Sequence, residues 1–296
     1  MLCDRDRKFL QVYNLIKVPP SAIAPSRCCC ANGVFSMIQY DPPRSPRETL
    51  PTMYDLPSEF PDEPGLPDTF HYDQPHLLDA TFQPPNWESD RIFSGGDLNL
   101  YYDVTHPLWH KRPDWFAAVG VPRLYDGRDL RLSYVCWQEP AYPFVVVELL
   151  SPGTEDEDLG QTTPQPGKPP TKWQVYEQIL RVPYYAVFSR YTDELRVFRL
   201  EGGRYEPVEL VAGRVEIPEI ELSLGLWRGS YRRCDRLWLR WLTRDGALIP
   251  SPSEQAITAE RRATEAERRA TEAERKAERL AAKLKELGID PETLEG

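Results

Sequence analysis

The chain has 296 residues, of which 41% are hydrophobic, and this is enough for one domain with a sizeable core plus additional segments. Its formal net charge of −10 disfavours non-specific attraction of the whole chain to a phosphate backbone. An enzyme of this composition that acts on nucleic acid would therefore need local basic groups or a bound metal.

Cysteine usage and hydropathy indicate a protein of the cytoplasm that does not enter a membrane. No stretch approaches the ~20 consecutive apolar residues that a membrane span needs, and the N-terminal residues lack the apolar run of a secretion signal. The 6 cysteines include no CxxC pair and have no histidine at ligand spacing, which disfavours zinc and fits a reducing compartment.

The first 67 residues predict a disordered leader, because they are rich in proline and acidic residues and show neither helical nor strand periodicity. Residues 1–36 differ in character from those that follow. Met37 is therefore a candidate translation start, and intact-mass measurement of the natural product would test it.

Spaced apolar residues over 70–82 predict a short helix, ended by Pro84 and Pro85. Alternating apolar and aromatic residues then predict three strands, over 98–102, 115–119 and 130–137.

The strongest strand prediction covers 144–150, a β-branched run so apolar that it is expected at the centre of its sheet. A helix is predicted over 172–180, with Val175, Ile179 and Leu180 on one face. A strand over 184–188 and a hairpin over 195–210, turning at Gly202-Gly203, follow. This order predicts an α/β fold with a mixed sheet core flanked by helices.

The remaining residues predict three further segments. Residues 231–252 are expected to connect the domain over 68–230 to a long charged helix, and residues 231–250 to pack as a lid or a helix. The helix is predicted over 253–288, where alanines and leucines recur at alternating spacings of four and three, before a tail over 289–296. A solvated tether and a homodimer formed through this heptad seam both stay open, since alanine buries little area.

Three chain segments carry residues whose order suggests a metal site. Asp114 follows Pro113 at the start of one predicted strand, Glu148 lies near the end of the central strand, and Lys172 begins the next helix. Two carboxylates at one sheet edge could hold Mg²⁺ or Mn²⁺, and a nearby ammonium could position water or a phosphate. A buried carboxylate such as Glu148 requires a partner, a metal or a raised pKa.

Other sites are less favoured by the sequence. His106 and His110 precede the Pro-Asp pair and could approach the carboxylates, but a surface loop position is the stronger interpretation. Taken singly, a Pro-Asp turn, a strand-terminal glutamate and a lysine at a helix start are common structural features. No glycine-rich phosphate loop, nucleophile elbow or dinucleotide fingerprint is present.

The stretches RPDWFAAV, FVVVELLSPGT and KWQVYEQILRVPYYAVF, with Asp158 between the last two, resemble the bacterial putative restriction endonuclease domain family of the PD-(D/E)xK superfamily. The resemblance covers about half of the chain. It implies a restriction-endonuclease-like αβββαβ core and a DNA endonuclease activity. The family pattern maps onto Asp114, Glu148, Ser151, Pro152, Lys172, Tyr176 and Tyr185.

Two departures from the family pattern leave two functions open. Leu150 stands where the superfamily lysine would follow Glu148, so the lysine role either moves to Lys172 or is lost, and a proline-rich insertion over 161–171 either covers the site or loops out. The first function is a Mg²⁺-dependent DNA endonuclease with Asp114 and Glu148 as metal ligands and Lys172 as the positioning cation. The alternative is a disabled nuclease fold that acts as a binding or scaffold module through its C-terminal helix.

Overall fold

The computed structural model of the chain describes residues 50–56 and 68–287. The predicted tail over 289–296 and the candidate start at Met37 lie outside the described residues. Of the predicted leader, only 50–56 is described.

The chain divides into two units, Met1–Asp55 and Leu56–Gly296. In the first, Asp55 accepts a hydrogen bond from the backbone N–H of Thr52. All helices and strands described below belong to the second unit. Its helices are α1 (Thr69–Thr81), α2 (Glu155–Asp158), α3 (Lys172–Gln174, continued as a π-helical segment over Val175–Ile179) and α4 (Pro252–Glu286). Its strands are β1 (Ile92–Gly95), β2 (Leu100–Tyr101), β3 (His110–Lys111), β4 (Trp115–Val119), β5 (Tyr134–Val135), β6 (Val145–Leu149), β7 (Tyr184–Ser189), β8 (Glu194–Glu201), β9 (Arg204–Pro207), β10 (Arg214–Ile217), β11 (Leu222–Tyr231) and β12 (Cys234–Thr243).

The strands form a six-stranded mixed sheet and two smaller sheets. The large sheet has the order β1-β4-β6-β7-β8-β9, and its only parallel pair is β6 with β7. The second sheet, β10-β11-β12, is antiparallel, and the third has the order β3-β2-β5. The predicted α/β class with a mixed sheet and a C-terminal helix is confirmed.

Strand β6 is central and buried on both faces, as its composition predicts. Val145 and Val147 belong to a core cluster that also contains α1 and the second sheet. Val146 belongs to the opposite cluster, which contains the third sheet and the segment after α3. Since side chains alternate along a strand, Glu148 faces the same side as Val146.

Several further predictions are confirmed. Helix α1 and strands β4 and β7 match the predicted 70–82, 115–119 and 184–188 closely. The predicted hairpin is β8-β9, and its turn uses Gly202 and Gly203 at φ values of 57° and 91°, where glycine avoids the steric cost of other residues.

The strands predicted over 98–102 and 130–137 are much shorter than expected. Only the two-residue strands β2 and β5 form there, and they pair with each other in the third sheet. Leu130 and Leu132 are 62% and 96% exposed, so the apolar alternation that suggested the second strand does not face a core.

The interpretation of residues 231–250 as a lid or a helix is wrong. Most of this segment is β12, in which Trp238 and Trp241 are buried. Its backbone is tied to α1, because the side-chain amide of Gln74 donates to the Leu239 carbonyl at 2.7 Å and accepts from the Leu239 N–H at 2.9 Å. The core therefore extends beyond the predicted domain end at residue 230.

The face predicted for the helix over 172–180 needs one correction. Val175 and Leu180 are buried, but Ile179 is 40% exposed. The chain winds here as a π-helix in which the Leu180 N–H bonds to the Val175 carbonyl, five residues earlier. This wider turn moves Ile179 away from the face that a regular helix would give it. Tyr176 is buried on the inner side of the segment.

Candidate active site

Asp114 and Glu148 lie next to each other because β4 and β6 run antiparallel. Trp115 pairs with Val147, so the residue before β4 meets the next residue along β6. The backbone N–H of Asp114 donates to Glu148 Oε2 at 3.3 Å, and Asp114 Oδ2 accepts from the Leu149 N–H at 2.6 Å. The strand register itself therefore brings the two predicted carboxylates together.

Glu148 is fully buried inside the otherwise apolar strand. Its Oε1 accepts a hydrogen bond from the Tyr176 hydroxyl at 2.9 Å, and its Oε2 lies 3.1 Å from Lys172 Nζ. Burial raises the pKa of Glu148 well above its ordinary value, Lys172 opposes the rise, and the nearby Asp158 and Asp114 add to it. Burial also raises the pKa of Tyr176, which keeps this hydroxyl a proton donor.

Lys172 enters the site from the first turn of α3. Thr171 and Gln174 form a capping box that fixes this turn, since each side chain bonds to the backbone of the other. Lys172 Nζ contacts Asp158 Oδ1 at 2.6 Å in addition to Glu148. Burial alone would lower the pKa of Lys172, but the two carboxylates outweigh it and raise the pKa, so the ammonium is charged.

The loop after β6 contributes two more acidic residues from α2. Asp158 is 1% exposed and accepts a hydrogen bond from the Thr154 hydroxyl at 2.7 Å. Glu157 Oε1 accepts from the backbone N–H of Lys172 at 3.0 Å and pairs with Lys111 Nζ at 2.7 Å. The cluster thus contains four carboxyl groups and two lysines.

His71 of α1 borders the site from the other side of the sheet edge. Its Nε2 lies 3.1 Å from the Leu149 carbonyl, and its Nδ1 lies 2.9 Å from Asp68 Oδ1. Burial opposes a charge on this ring, but the hydrogen bond to Asp68 and the charge of Asp114 raise its pKa. Both ring nitrogens face acceptors, an arrangement that the doubly protonated imidazolium satisfies.

The three residues singled out in the sequence, Asp114, Glu148 and Lys172, are brought together in one cluster. His106 and His110 are exposed, in agreement with the surface position favoured for them. The predicted insertion over 161–171 has an exposed stretch through residue 169 and so loops out.

The roles of several residues around these three were not predicted from the sequence. Asp158 stood in the family-like pattern but was not assigned to the site, and Tyr176 could have been assigned from its position one turn after Lys172. His71 comes from a distant segment. Glu157 and Lys111 are near Asp158 and Asp114 in the chain, but their ion pair depends on how α2 and β3 pack.

The cluster offers carboxylate oxygens, which are the donors that hard divalent cations prefer. Within 50–56 and 68–287, no group of three or more His, Cys, Asp or Glu residues is arranged to hold a metal ion. Mg²⁺, however, is commonly bound by one or two carboxylates, with waters and substrate phosphates as its other ligands. Asp114 and Glu148 are two carboxyl groups of this kind, and the cluster holds four carboxyl groups against two lysines.

Comparison with known proteins places the chain in a family. Residues 52–233, more than half of the chain, match the model of the Uma2 family, described as putative restriction endonucleases. A solved structure of a putative nuclease of the DUF820 family from Anabaena variabilis is similar at 11% identity and a TM-score of 0.38, covering 53% of this chain and 77% of that chain. No curated protein matches. In the described part of the chain, no helix has the length and apolar character needed to cross a membrane. By the extent of the family match, the chain belongs to the Uma2 family of putative restriction endonucleases.

Proposed function

We propose that the chain is a Mg²⁺-dependent endonuclease that hydrolyses phosphodiester bonds in DNA. Asp114 and Glu148 are the metal ligands, and Lys172 is the cation that positions water or phosphate. The observation that carries this proposal is the contact of Lys172 Nζ with Glu148 Oε2 at 3.1 Å, beside the backbone of Asp114. Three segments that are distant in sequence thus contribute the three residue types that this reaction needs.

The carboxylates would serve as hard oxygen ligands at the edge of the sheet. Tyr176 orients Glu148 by holding Oε1, which leaves the other oxygen directed toward Lys172 and Asp114. When bound there, a divalent cation would polarise the scissile phosphate and make a water molecule more acidic. Mn²⁺ would serve the same site, because its ligand preferences are similar.

Lys172 would stabilise the negative charge that develops on the phosphate during hydrolysis. Its ammonium is charged and is held by two carboxylates, so it needs little reorganisation to act as an electrostatic partner. Leu150, at the position of the superfamily lysine, cannot take this role. The structure supports the transfer of the role to Lys172, because its ammonium reaches Glu148 from α3.

DNA is the proposed substrate because the family description names restriction endonucleases. The formal charge of −10 means that contacts to the nucleic acid backbone would come from local groups and from the metal. Supercoiled plasmid and a single-stranded RNA of similar length, assayed in parallel, would separate the two substrate classes.

The test is plasmid cleavage by the full chain in Mg²⁺ or Mn²⁺, with a chelator as the metal-free condition. Glu148→Gln and Asp114→Asn remove one metal ligand each while keeping the side-chain shape, and we expect each to lower the cleavage rate by at least about 100-fold. Glu155→Gln, which changes an exposed carboxylate on α2, should cleave like the wild type. Cleavage that persists in either ligand variant, or in the chelator, would contradict the assignment.

The alternative is a binding or scaffold module with a disabled site. Leu150 favours it, and so does the contact of Lys172 with Glu148, one of the two carboxylates proposed to bind the metal. A working site would cleave DNA and would be stabilised by divalent ions. A disabled site would show neither cleavage nor stabilisation.

A further inference from the structure

Helix α4 leaves the domain from a firmly anchored start. Ser251 caps the helix in a capping box with Glu254, and Glu254 forms two hydrogen bonds with the buried guanidinium of Arg240 in β12. None of the 35 residues of α4 is buried. The helix therefore presents a long face that no part of the described chain covers.

One stripe of this face follows a strict heptad. If Ala263 is placed at position a of the repeat, positions a and d are occupied only by alanine and leucine from residue 256 to residue 287. Leu280 and Leu287 at position d are 54% and 75% exposed. A repeat of 3.5 residues keeps such a stripe facing a partner helix over several turns, whereas a single straight helix gains nothing from it.

The flanks of the stripe carry opposite charges. Position e, on one side, is acidic in three successive heptads, at Glu260, Glu267 and Glu274. Position g, on the other side, is basic in four, at Arg262, Arg269, Lys276 and Lys283. Two identical helices in parallel bring position g of one against position e of the other, so that opposite charges meet. In an antiparallel pair, g meets g and e meets e, and like charges meet.

We propose that α4 pairs with α4 of a second copy of this chain as a parallel two-stranded coiled coil. Arg262 lies against Glu267 of the partner subunit, and Arg269 lies against Glu274 of the partner subunit, on both sides of the seam. The alanines allow the helices to approach closely, and the leucines near the C-terminal end bury the most apolar surface. Since each helix starts from an anchored N-terminus, the two domains lie at the same end of the pair.

Charge exchange at the flanks tests the partner and the orientation together, and does not depend on nuclease activity. One variant of the full chain carries Arg262→Glu and Arg269→Glu, so that both members of the proposed 262–267 and 269–274 contacts are acidic. A second carries Glu267→Arg and Glu274→Arg, so that both members of these contacts are basic. The matched control carries Arg261→Glu and Arg268→Glu, at position f on the outer surface. Sedimentation velocity over a range of concentrations gives the dimer dissociation constant, and circular dichroism reports helix content.

We expect the wild type and the control to dimerise, and each flank variant alone to dimerise at least roughly tenfold more weakly. A 1:1 mixture of the two flank variants should recover the wild-type affinity, because opposite charges then meet again. A monomeric wild type at all concentrations would overturn the proposal. So would a wild-type dimer that the acidic variant leaves unchanged or makes tighter. A contact elsewhere would not respond to the exchange, and an antiparallel pair would lose like-charge contacts between its g positions.

Discussion

Lys172 contacts two carboxyl groups that are almost fully inaccessible to water. Glu148 is 0% exposed and Asp158 is 1% exposed, so water cannot replace the ammonium as a partner of either carboxyl group. A buried ion pair is a weak source of net stability, but removing one partner leaves the other charge without compensation. The charge of Lys172 is therefore needed for folding as well as for the proposed chemistry.

We predict that Lys172→Met lowers the free energy of unfolding by about 3–5 kcal/mol at pH 7. The loss should shrink as the pH falls. Burial raises the pKa of Glu148 in the folded state above its value in the unfolded state. The contribution of Glu148 to stability is therefore complete below the unfolded-state pKa and is lost as the pH rises through the folded-state pKa. Without Lys172, protonation of Glu148 removes the uncompensated charge.

Denaturant unfolding followed by tryptophan fluorescence at pH 5 and pH 7 measures this effect. Lys168→Met, in the exposed loop before α3, is the matched control and should change stability little at either pH. An equal loss for Lys172→Met at both pH values would show that the ammonium does not compensate the buried carboxyl groups.

The three central residues, Asp114, Glu148 and Lys172, were predictable from the sequence for identifiable reasons. A carboxylate within a β-branched run is costly unless it has a partner, and this marked Glu148 before its contacts were known. Asp114 and Lys172 followed from their order relative to strand ends and from the family resemblance. The contacts of Lys111 and His71 depend on how separate elements pack, and no local pattern contains that information.

At the scale of elements, strongly patterned segments were predictable and locally ambiguous ones were not. The run over 144–150 could only be a buried strand, and Gly202-Gly203 marked a hairpin. Strand β12 was missed because its hairpin with β11 turns at Arg232-Arg233, which adopt positive φ values of 49° and 66° without the Asn-Gly signature. The π-helical segment was missed because amphipathic periodicity assumes 3.6 residues per turn.

Gly160 ends the turn that carries Asp158, and we predict that Gly160→Ala destabilises the domain. Its φ is +71°, and an added Cβ would lie 2.7 Å from the ring of Trp173. The positive φ costs about 1–2 kcal/mol for a non-glycine residue, and the clash with a part-buried ring adds to it.

Gly127 provides the matched control for this prediction. Its φ is +66°, but nothing lies within 4 Å of an added Cβ, so Gly127→Ala should show the backbone cost alone. Chemical unfolding of both variants gives the comparison. If Gly160→Ala costs no more than Gly127→Ala, the packing of Trp173 against this turn does not constrain the loop of Asp158.

At the scale of the whole molecule, the acidic cluster lies where the large sheet, α2 and α3 meet, and α4 extends from the far end of β12. The site and the helix use different parts of the chain, so the proposed nuclease activity and the proposed pairing through α4 can be tested separately. The long helix was predictable from its repeat. Its anchoring by Arg240 and Glu254 was not, because it depends on where β12 lies in the fold.

Thermal unfolding of the full chain with and without Mn²⁺ is the sharpest test of the proposed carboxylate metal site. It compares the wild type with Glu148→Gln and with the control Glu155→Gln. A ligand at about 100 times its dissociation constant stabilises the native state by about 2.7 kcal/mol. We expect a Mn²⁺-dependent rise in Tm of about 5–10 °C for the wild type and the control, and none for Glu148→Gln. No rise in the wild type, or an equal rise in Glu148→Gln, would contradict the carboxylate metal site.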